Sequence, residues 1–326
     1  MAATVESVER IAAGGSGGSA RGGRGRRSPL ARGEGRAAWM FISPWVIGFL
    51  VFTAGPMIAS LVLSFTDYEM IRAPHSVGVA NYQDLVQDPK IAKSLMNTFV
   101  YALIFVPTGT VVALALAMML HKVGRAAGFF RTAFYLPVMT PAVAASAMFL
   151  LLLNGQRGLI NQVLGWIGIQ GPNWTADPAW LKPSIAIVSL WSVGGSVVIY
   201  LAALKNVPQQ LYEAASIDGA GPVTRFTRIT LPMISGALFF TIITHTIGAL
   251  QMFDQAYTMF YGPQQKATAS EESLVYMIYL FQNAFQFFKM GYASAMAWLL
   301  FLIILAITLV QLRIGRRYVY YEGERD

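Results

Sequence analysis

The sequence contains no cysteine, and only 12% of its 326 residues are charged. The absence of cysteine excludes disulfide bridges, thiolate metal sites and cysteine nucleophiles. A soluble globular domain carries about 25% charged residues. The shortage of charge and the 55% share of hydrophobic residues therefore predict an all-α integral membrane protein. The net charge of +8 indicates no nucleic-acid partner, because the basic residues flank apolar segments that suit a lipid bilayer.

Patterns that carry catalysis or bind metals are also missing. A nucleotide-binding P-loop needs a Gly-Lys pair, and no such pair occurs in this chain. The three histidines, His75, His121 and His245, have no metal-ligand spacing and fall at different predicted depths. We therefore expect no catalytic residue, no metal and no cofactor in this chain, so any ATP must be bound by a partner subunit.

Six apolar segments are long enough to cross a hydrocarbon core of about 30 Å as helices. Their approximate bounds are Ala38–Ser64, Leu95–Leu120, Phe129–Leu153, Ser184–Leu204, Ser235–Phe253 and Met290–Ile314. Residues 1–37 are rich in Gly, Ser and Arg, a composition that predicts a disordered basic cytoplasmic tail. The sequence thus predicts a six-helix transmembrane domain over residues 38–315 and a cytoplasmic C-terminal tail over residues 316–326.

The distribution of Lys and Arg predicts how these spans are oriented. If both termini lie in the cytoplasm, the inner segments and their flanks hold 17 of the 24 basic residues, and the outer segments hold 7. The positive-inside rule favours this arrangement. We therefore expect a multi-pass protein of the plasma membrane with both termini inside, and the loop at residues 205–234 faces the same side.

This loop, which we call the elbow (residues 205–234), is polar yet well specified. Gln209–Ser216 is a good helix-forming stretch, and Asp218 and Gly219 are turn residues. A proline after a glycine then favours a second helix over Pro222–Thr230. Because a simple connection between two spans could be far shorter, the elbow is expected to have a role of its own.

The residues of the elbow also match a known family. The matching positions are Glu213, Ala214, Ala215, Asp218, Gly219, Ala220, Ile229, Leu231 and Pro232. Their types and spacing resemble the EAA loop of the permease subunits of binding-protein-dependent ABC importers. Leu61–Tyr68, Val77–Pro107 and Phe129–Val143 are similar to segments of the carbohydrate branch, which includes maltose and glycerol-phosphate transporters. The resemblance covers about residues 40–315.

This resemblance implies a type I ABC importer permease fold and separate subunits for ATP hydrolysis and solute binding. The elbow would dock in a cytoplasmic ATPase, with Glu213 as polar anchor, Ala214 and Ala215 in close contact, and Gly219 at the turn. Asp218, Ile229 and Pro232 belong to the same implied coupling set. Two ATPase subunits, a second six-helix permease, an extracellular solute-binding protein and a carbohydrate cargo are the implied partners, alongside the bilayer.

Polar residues within the predicted spans are candidates for contact with a solute. The candidate lining residues of the fourth and fifth spans recur at helical spacing, with a glycine and a methionine among the polar groups: Ser192, Ser196, His245, Gly248, Gln251 and Met252. Two other readings stay open, since small polar stripes also pack membrane helices and His245 could be a structural histidine or a proton relay.

Two alternative functions fit the sequence less well than import. A membrane-embedded, lipid-linked sugar transferase should carry an acidic or histidine cluster on a membrane-facing loop, and the sequence has none. An ion-coupled secondary transporter should carry charged groups within its spans, and the six segments contain no acidic residue. The sequence therefore favours a permease subunit.

Overall fold

The computed structural model describes residues 29–124, 127–262 and 270–318. Most of the predicted N-terminal tail and residues 319–326 of the C-terminal tail lie outside these ranges. Two compact units divide the chain, residues 1–58 and 59–326. Across the described residues the structure is helical, and the only strand-like pairing among them is a single bridge between Thr66 and Ser76.

The first unit contains one helix with a widened turn. Helix α1 spans Pro29–Phe49, so it begins before the predicted start of the first span, with a proline in the first turn that suits a helix start. A π-helical turn follows at Leu50–Ala54, where the N–H of Gly55 donates to the carbonyl of Leu50. The next residue is a proline, which has no N–H to donate, so the helix widens at this point. Helix α2, Gly55–Leu63, then continues into the second unit.

The second unit is organised around one long helix. After the short α3, Ala80–Gln87, helix α4 spans Pro89–Lys122. Asp88 caps its start by accepting a hydrogen bond of 2.9 Å from the N–H of Lys90. Helix α4 packs against helices of the predicted fourth and fifth spans, and it therefore forms the centre of this unit.

Three of the predicted spans are continuous helices, and three are bent. By length and composition, Ala38–Leu63, Pro89–Lys122 and Met290–Arg317 can each cross a membrane, and each of three bent pairs can count as one further span. The bent pairs are Gly128–Met139 with Ala142–Leu152 at 99°, Pro178–Leu190 with Gly194–Lys205 at 55°, and Pro222–Met233 with Ser235–Leu250 at 70°. The described residues therefore hold up to six spans, as predicted.

Two of the bends lie within the predicted third and fourth spans. Pro137 and Pro141 flank the first break, and neither can donate a backbone hydrogen bond. At the second break, a Cβ on Gly194 would lie 1.9 Å from the carbonyl oxygen of Phe134. A glycine is thus required there, because the two backbones approach too closely for any side chain.

The remaining helices of the second unit differ widely in length. In chain order they and the segments of the bent pairs are α5 Ala127–Tyr135, α6 Ala142–Leu152, α7 Leu159–Trp166, α8 Pro178–Leu190, α9 Gly194–Lys205, α10 Gln209–Ile217, α11 Pro222–Arg225, α12 Leu231–Met233, α13 Ser235–Leu250, α14 Asp254–Ala256, α15 Tyr276–Phe281 and α16 Met290–Tyr318. Short 3-10 turns lie at Leu136–Met139 and Glu271–Ser273, and further π-helical turns at Phe226–Thr230, Tyr257–Tyr261 and Gln282–Gln286.

Two buried clusters hold this unit together. The larger one gathers side chains from the first half of α4, α8, α15 and α16, including Tyr101, Ile185, Tyr276 and Met296. The smaller one joins the second half of α4 to α9 and to the start of the fifth span; its buried members are Ala113, Ala117, Leu120, Val193, Val197, Tyr200, Leu201, Leu204, Val207 and Ile234. We call this second group the elbow-side core, because side chains of the elbow pack against it.

Candidate functional site

The elbow has the turn that the sequence predicts. Helix α10 ends at Asp218, and Gly219 adopts a left-handed conformation with φ of +73°. The N–H of Ala220 donates to the carbonyl of Ala215 at 2.8 Å, and the N–H of Gly219 donates to that of Ser216 at 3.2 Å. These two bonds form a Schellman motif, which ends the helix and reverses the chain.

A second helix follows at once. Gly221 is extended and Pro222 opens α11, so the missing N–H of proline costs nothing at this position. The Nε of Arg225 donates to the carbonyl of Ala220 at 2.7 Å, across the turn. The predicted second helix does not end at Thr230, since a π-helical turn and α12 extend it to Met233 before the 70° bend.

The elbow is fixed to the bundle on one side and exposed on the other. The hydroxyls of Tyr212 and Thr230 hydrogen-bond at 2.8 Å, and Tyr212 and Ile229 both pack against the elbow-side core. The other predicted coupling residues lie on or near the surface: Glu213, Ala214, Asp218, Gly219 and Pro232 are exposed, and Ala215 is half-buried. Exposed apolar side chains flank them, with Ile217 88% and Val223 74% exposed.

Two hydrogen bonds join α9 to α13, one helical turn apart. Deeper in the protein, Tyr200, which is fully buried, contacts the hydroxyl of Thr241. Nearer the surface, the Oγ of Ser196 lies 2.9 Å from Nε2 of His245, and both side chains are half-buried. The ring of Phe105 on α4 lies 5.4 Å from the imidazole ring. Spans two, four and five thus meet at His245.

The remaining predicted lining residues fall in different surroundings. Ser192 is exposed within the break between α8 and α9, and its hydroxyl donates to the carbonyl of Ser189. Gly248 is exposed, and Gln251 is exposed as the residue that ends α13. Met252 lies beyond that helix and is 5% exposed, packed in the larger buried cluster. We call the accessible members the polar face: Ser192, Ser196, His245, Gly248 and Gln251.

A polar network lies at the start of α4, at the end away from the elbow-side core, and no sequence pattern predicts it. One carboxylate oxygen of Asp88 accepts hydrogen bonds from the hydroxyls of Tyr279 at 2.5 Å and Tyr292 at 2.9 Å. Partial burial raises the pKa of Asp88, but the bonds from Tyr279, the N–H of Lys90 and Tyr292 outweigh it and place the pKa below its ordinary value. Burial and the Asp88 carboxylate raise the pKa of Tyr279 to about 12.

This network lines a cavity of about 340 Å³. Carboxylates, amides and tyrosines surround the space; they include Asp67, Glu69, Asn81, Asp84, Asp88, Tyr279, Asn283 and Tyr292. Among the described residues, no three histidines, cysteines or carboxylates are placed to hold one metal ion. The network therefore ties the ends of three helices together, and we assign it a structural role.

An ion-pair triad holds the neighbouring loop. Lys93 lies 2.7 Å and Lys182 3.6 Å from the carboxylate of Glu272, and the hydrogen bond from Lys93 lowers the pKa of Glu272. The side-chain amide of Asn97 donates to the carbonyls of Glu271 and Leu274 at 2.8 and 2.9 Å. The residues that pair here are about 90 or 180 positions apart in the chain, so no local sequence pattern predicts these contacts.

Known proteins resemble this chain along most of its length. Residues 105–320 match the family described as binding-protein-dependent transport system inner membrane component. The chain is 39% identical to the probable ABC transporter permease protein YesP of Bacillus subtilis, over 92% of this chain and 97% of that protein. It is 34% identical to the lactose transport system permease protein LacF of Rhizobium radiobacter, over 89% of this chain and 97% of that protein.

A solved structure shows the same fold. One chain of a bacterial ABC transporter involved in the import of the acidic polysaccharide alginate superimposes with a TM-score of 0.77 at 24% identity. The match covers 90% of this chain and 100% of that one.

The helical fold and its candidate spans define a multi-pass, all-helical membrane protein with the fold of an ABC importer permease. The chain belongs to the family of inner membrane components of binding-protein-dependent transport systems. It is a transport subunit without a catalytic domain, and the family operates in complexes with a binding protein and an ATPase.

Proposed function

We propose that this chain is the permease subunit of an importer that moves a carbohydrate into the cytoplasm. Its relatives support the class of cargo, since they include permeases named for the transport of lactose, arabinooligosaccharides and trehalose or maltose. The observation that carries the proposal is the elbow, a rigid two-helix unit fixed to the bundle through Tyr212 and Ile229 and exposed on its other side.

The elbow couples transport to ATP hydrolysis in this proposal. Its exposed side offers a carboxylate at Glu213, a small residue at Ala214 and apolar groups at Ile217 and Val223. Small residues permit close approach of another backbone, and the apolar groups gain free energy when a protein surface covers them. A cytoplasmic ATPase that closes on ATP moves this surface, and the fifth span follows because the elbow runs into α13 through the bend at Ile234.

The coupling and the orientation can be tested with single cysteines, because the chain contains none of its own. Ser216→Cys on the elbow and Thr175→Cys at the opposite end of the bundle are matched probes. We expect an impermeant thiol reagent on intact cells to label only Thr175→Cys. Ser216→Cys should crosslink to the ATPase in membranes. Labelling of Ser216→Cys from outside would overturn both the orientation with cytoplasmic termini and the coupling role.

The polar face lines the solute path in this proposal, and a second six-helix permease completes it. Polar side chains on membrane helices are costly against lipid, so a protein partner or a watery path must cover Ser192 and Gln251, which are exposed. A pair of permeases, two ATPases and a solute-binding protein then form the working complex. Small polar residues also pack helices together, so the polar face can contact both the solute and the second permease.

Transport by the assembled complex tests the function itself. The complex is purified from cells that express this permease with its partner permease, ATPase and binding protein, and is placed in proteoliposomes. We expect ATP-dependent accumulation of at least one of lactose, maltose and an arabinooligosaccharide, and none when the binding protein is left out. Accumulation by this chain alone, or no uptake of any of these sugars, would contradict the proposal.

A further inference from the structure

The pair formed by Ser196 and His245 has an unusual pattern of partners. Nε2 of His245 lies 2.9 Å from the Oγ of Ser196, whereas Nδ1 is buried and has no hydrogen-bond partner within the part of the chain that the structure describes. A neutral imidazole carries one N–H donor and one acceptor nitrogen. A buried N–H without an acceptor is rarer in proteins than an acceptor without a donor. On this ground we assign the unpaired Nδ1 as the acceptor and the proton to Nε2.

This assignment decides which group donates. Because Nε2 carries the proton, it donates to the Oγ of Ser196, and the serine hydroxyl keeps its own hydrogen. Neighbouring hydroxyls behave differently, since Ser189, Thr244 and Thr246 each donate to a carbonyl of the preceding turn. Among the described residues, Ser196 makes no such bond, and its one hydrogen bond is to His245. Its hydrogen therefore has no acceptor within the described part of the chain.

The surroundings of Ser196 leave room for an acceptor from outside. Ser196 is half-buried, so water or a solute can reach it. Gly195 precedes it, and Gly248 lies one turn beyond His245. A Cβ placed on either glycine would meet no atom within 4 Å. On the other side, the ring of Phe105 packs against the imidazole ring at 5.4 Å. The imidazole is thus held from one side, and Ser196 is half-buried next to the open space at these two glycines.

We propose that the hydroxyl of Ser196 is a hydrogen-bond donor to the transported solute, and that His245 is the positioning residue that keeps this hydrogen free. This inference rests on the proposed function, in which the polar face lines the solute path. The group it recognises is an acceptor oxygen, which a sugar presents as a ring, glycosidic or hydroxyl oxygen. His245 does not touch the solute in this arrangement; it accepts no hydrogen from Ser196 and thereby turns the hydroxyl outward.

Two substitutions at position 245 separate this role from simple packing. The side-chain amide of glutamine reaches about as far as Nε2 and can still donate to Ser196. The shorter amide of asparagine reaches only about as far as Nδ1 and cannot. We expect His245→Gln to raise the KM for uptake less than His245→Asn does. His245→Asn and Ser196→Ala should raise the KM for uptake about 2- to 10-fold, the effect of one lost hydrogen bond, with little change in kcat. Ser196→Thr, which keeps the hydroxyl, should raise the KM less than Ser196→Ala does.

The double variant is a further check on the pair. If the two residues act as one unit, Ser196→Ala with His245→Asn should raise KM no more than Ser196→Ala does alone. Uptake is measured with purified complexes in proteoliposomes that use lactose, maltose and an arabinooligosaccharide as probes. Equal KM values for the glutamine and asparagine variants would overturn the inference while leaving the import function intact. If the native complex takes up none of the three sugars, the proposed function fails and the inference falls with it.

The proton position can be measured without any solute. The chain has three histidines, so nitrogen-15 NMR of a complex in which only this chain carries labelled histidine gives few signals, and the signal absent from His245→Gln identifies His245. We expect a neutral ring with the proton on Nε2 and a bare Nδ1. A proton on Nδ1 would mean that Ser196 donates to His245, which would overturn the proposal whatever the transport data show.

Discussion

The turn of the elbow offers a sharp test, because two glycines two positions apart differ in the sign of their φ angle. Gly219 has φ of +73°, and Gly221 has φ of −71° with extended backbone. A Cβ on either glycine would meet no atom within 4 Å. Any difference between the same substitution at the two sites therefore reports backbone strain rather than a clash.

Serine is the informative substitution. At position 221 it occupies the N-cap of α11, where serine is at least as favourable as glycine. At position 219 it must adopt a left-handed conformation, which costs about 1–2 kcal/mol for an L-residue other than glycine. A shift of this size changes a local conformational equilibrium by about 5- to 30-fold. Asparagine at position 219 should recover part of the loss, since it tolerates this conformation.

The assay compares uptake with ATP hydrolysis in the purified complex. We expect Gly221→Ser to match the native protein. Gly219→Ser should keep basal ATP hydrolysis but lose uptake and the stimulation of hydrolysis by loaded binding protein. Hydrogen exchange of the segment from Leu211 to Pro232 should rise in Gly219→Ser alone. Equal behaviour of the two serine variants in all three measurements would refute the argument that the left-handed turn fixes the elbow for coupling.

Three further outcomes follow from the same contacts. Gly194→Ala should lower thermal stability by about 1–3 kcal/mol through overpacking against the carbonyl of Phe134, whereas Gly195→Ala, which meets open space, should change it little; equal melting temperatures would contradict this. Since the pKa of Asp88 is lowered in the folded protein, its stabilising effect is full above about pH 4 and is lost as pH falls through the lowered pKa. The difference in unfolding free energy between the native protein and Asp88→Asn should therefore shrink as the pH falls. A difference that stays constant with pH would refute the stabilising role of the Asp88 carboxylate. Glu213→Lys should reach the membrane in normal amount and abolish uptake, and full uptake by this variant would exclude the anchoring role.

Local sequence signals account for the elements of the fold but not for their breaks. Composition and apolar run length place all six candidate spans, because each run must bury itself in lipid. The break before α9 depends on Gly194 meeting the carbonyl of Phe134, which is 60 positions earlier in the chain. Nothing near Gly194 encodes that approach. The same holds for Gly291, where a Cβ would lie 1.9 Å from the carbonyl of Thr66.

In the candidate site, too, local sequence predicts single elements but not the contacts between distant residues. The turn at Gly219 follows from residue types that favour it locally, and it has the expected conformation. Helical spacing also places Ser196 and His245 on inward faces of their spans, but it does not pair them, because they are 49 residues apart. Spacing extended the polar stripe to Met252 as well. There α13 has already ended at Leu250, so Met252 turns into the larger buried cluster.

The contacts that hold the elbow also reach the Ser196–His245 pair. Tyr212 and Ile229 of the elbow pack against the elbow-side core, whose members include Tyr200. Tyr200 in turn bonds to Thr241, one turn from the Ser196–His245 pair on both helices. A close-packed core transmits displacement because it has few voids to absorb it. In the proposed coupling, movement of the elbow would shift α9 and α13 together or break the contact between them, and either result would move the Ser196–His245 pair.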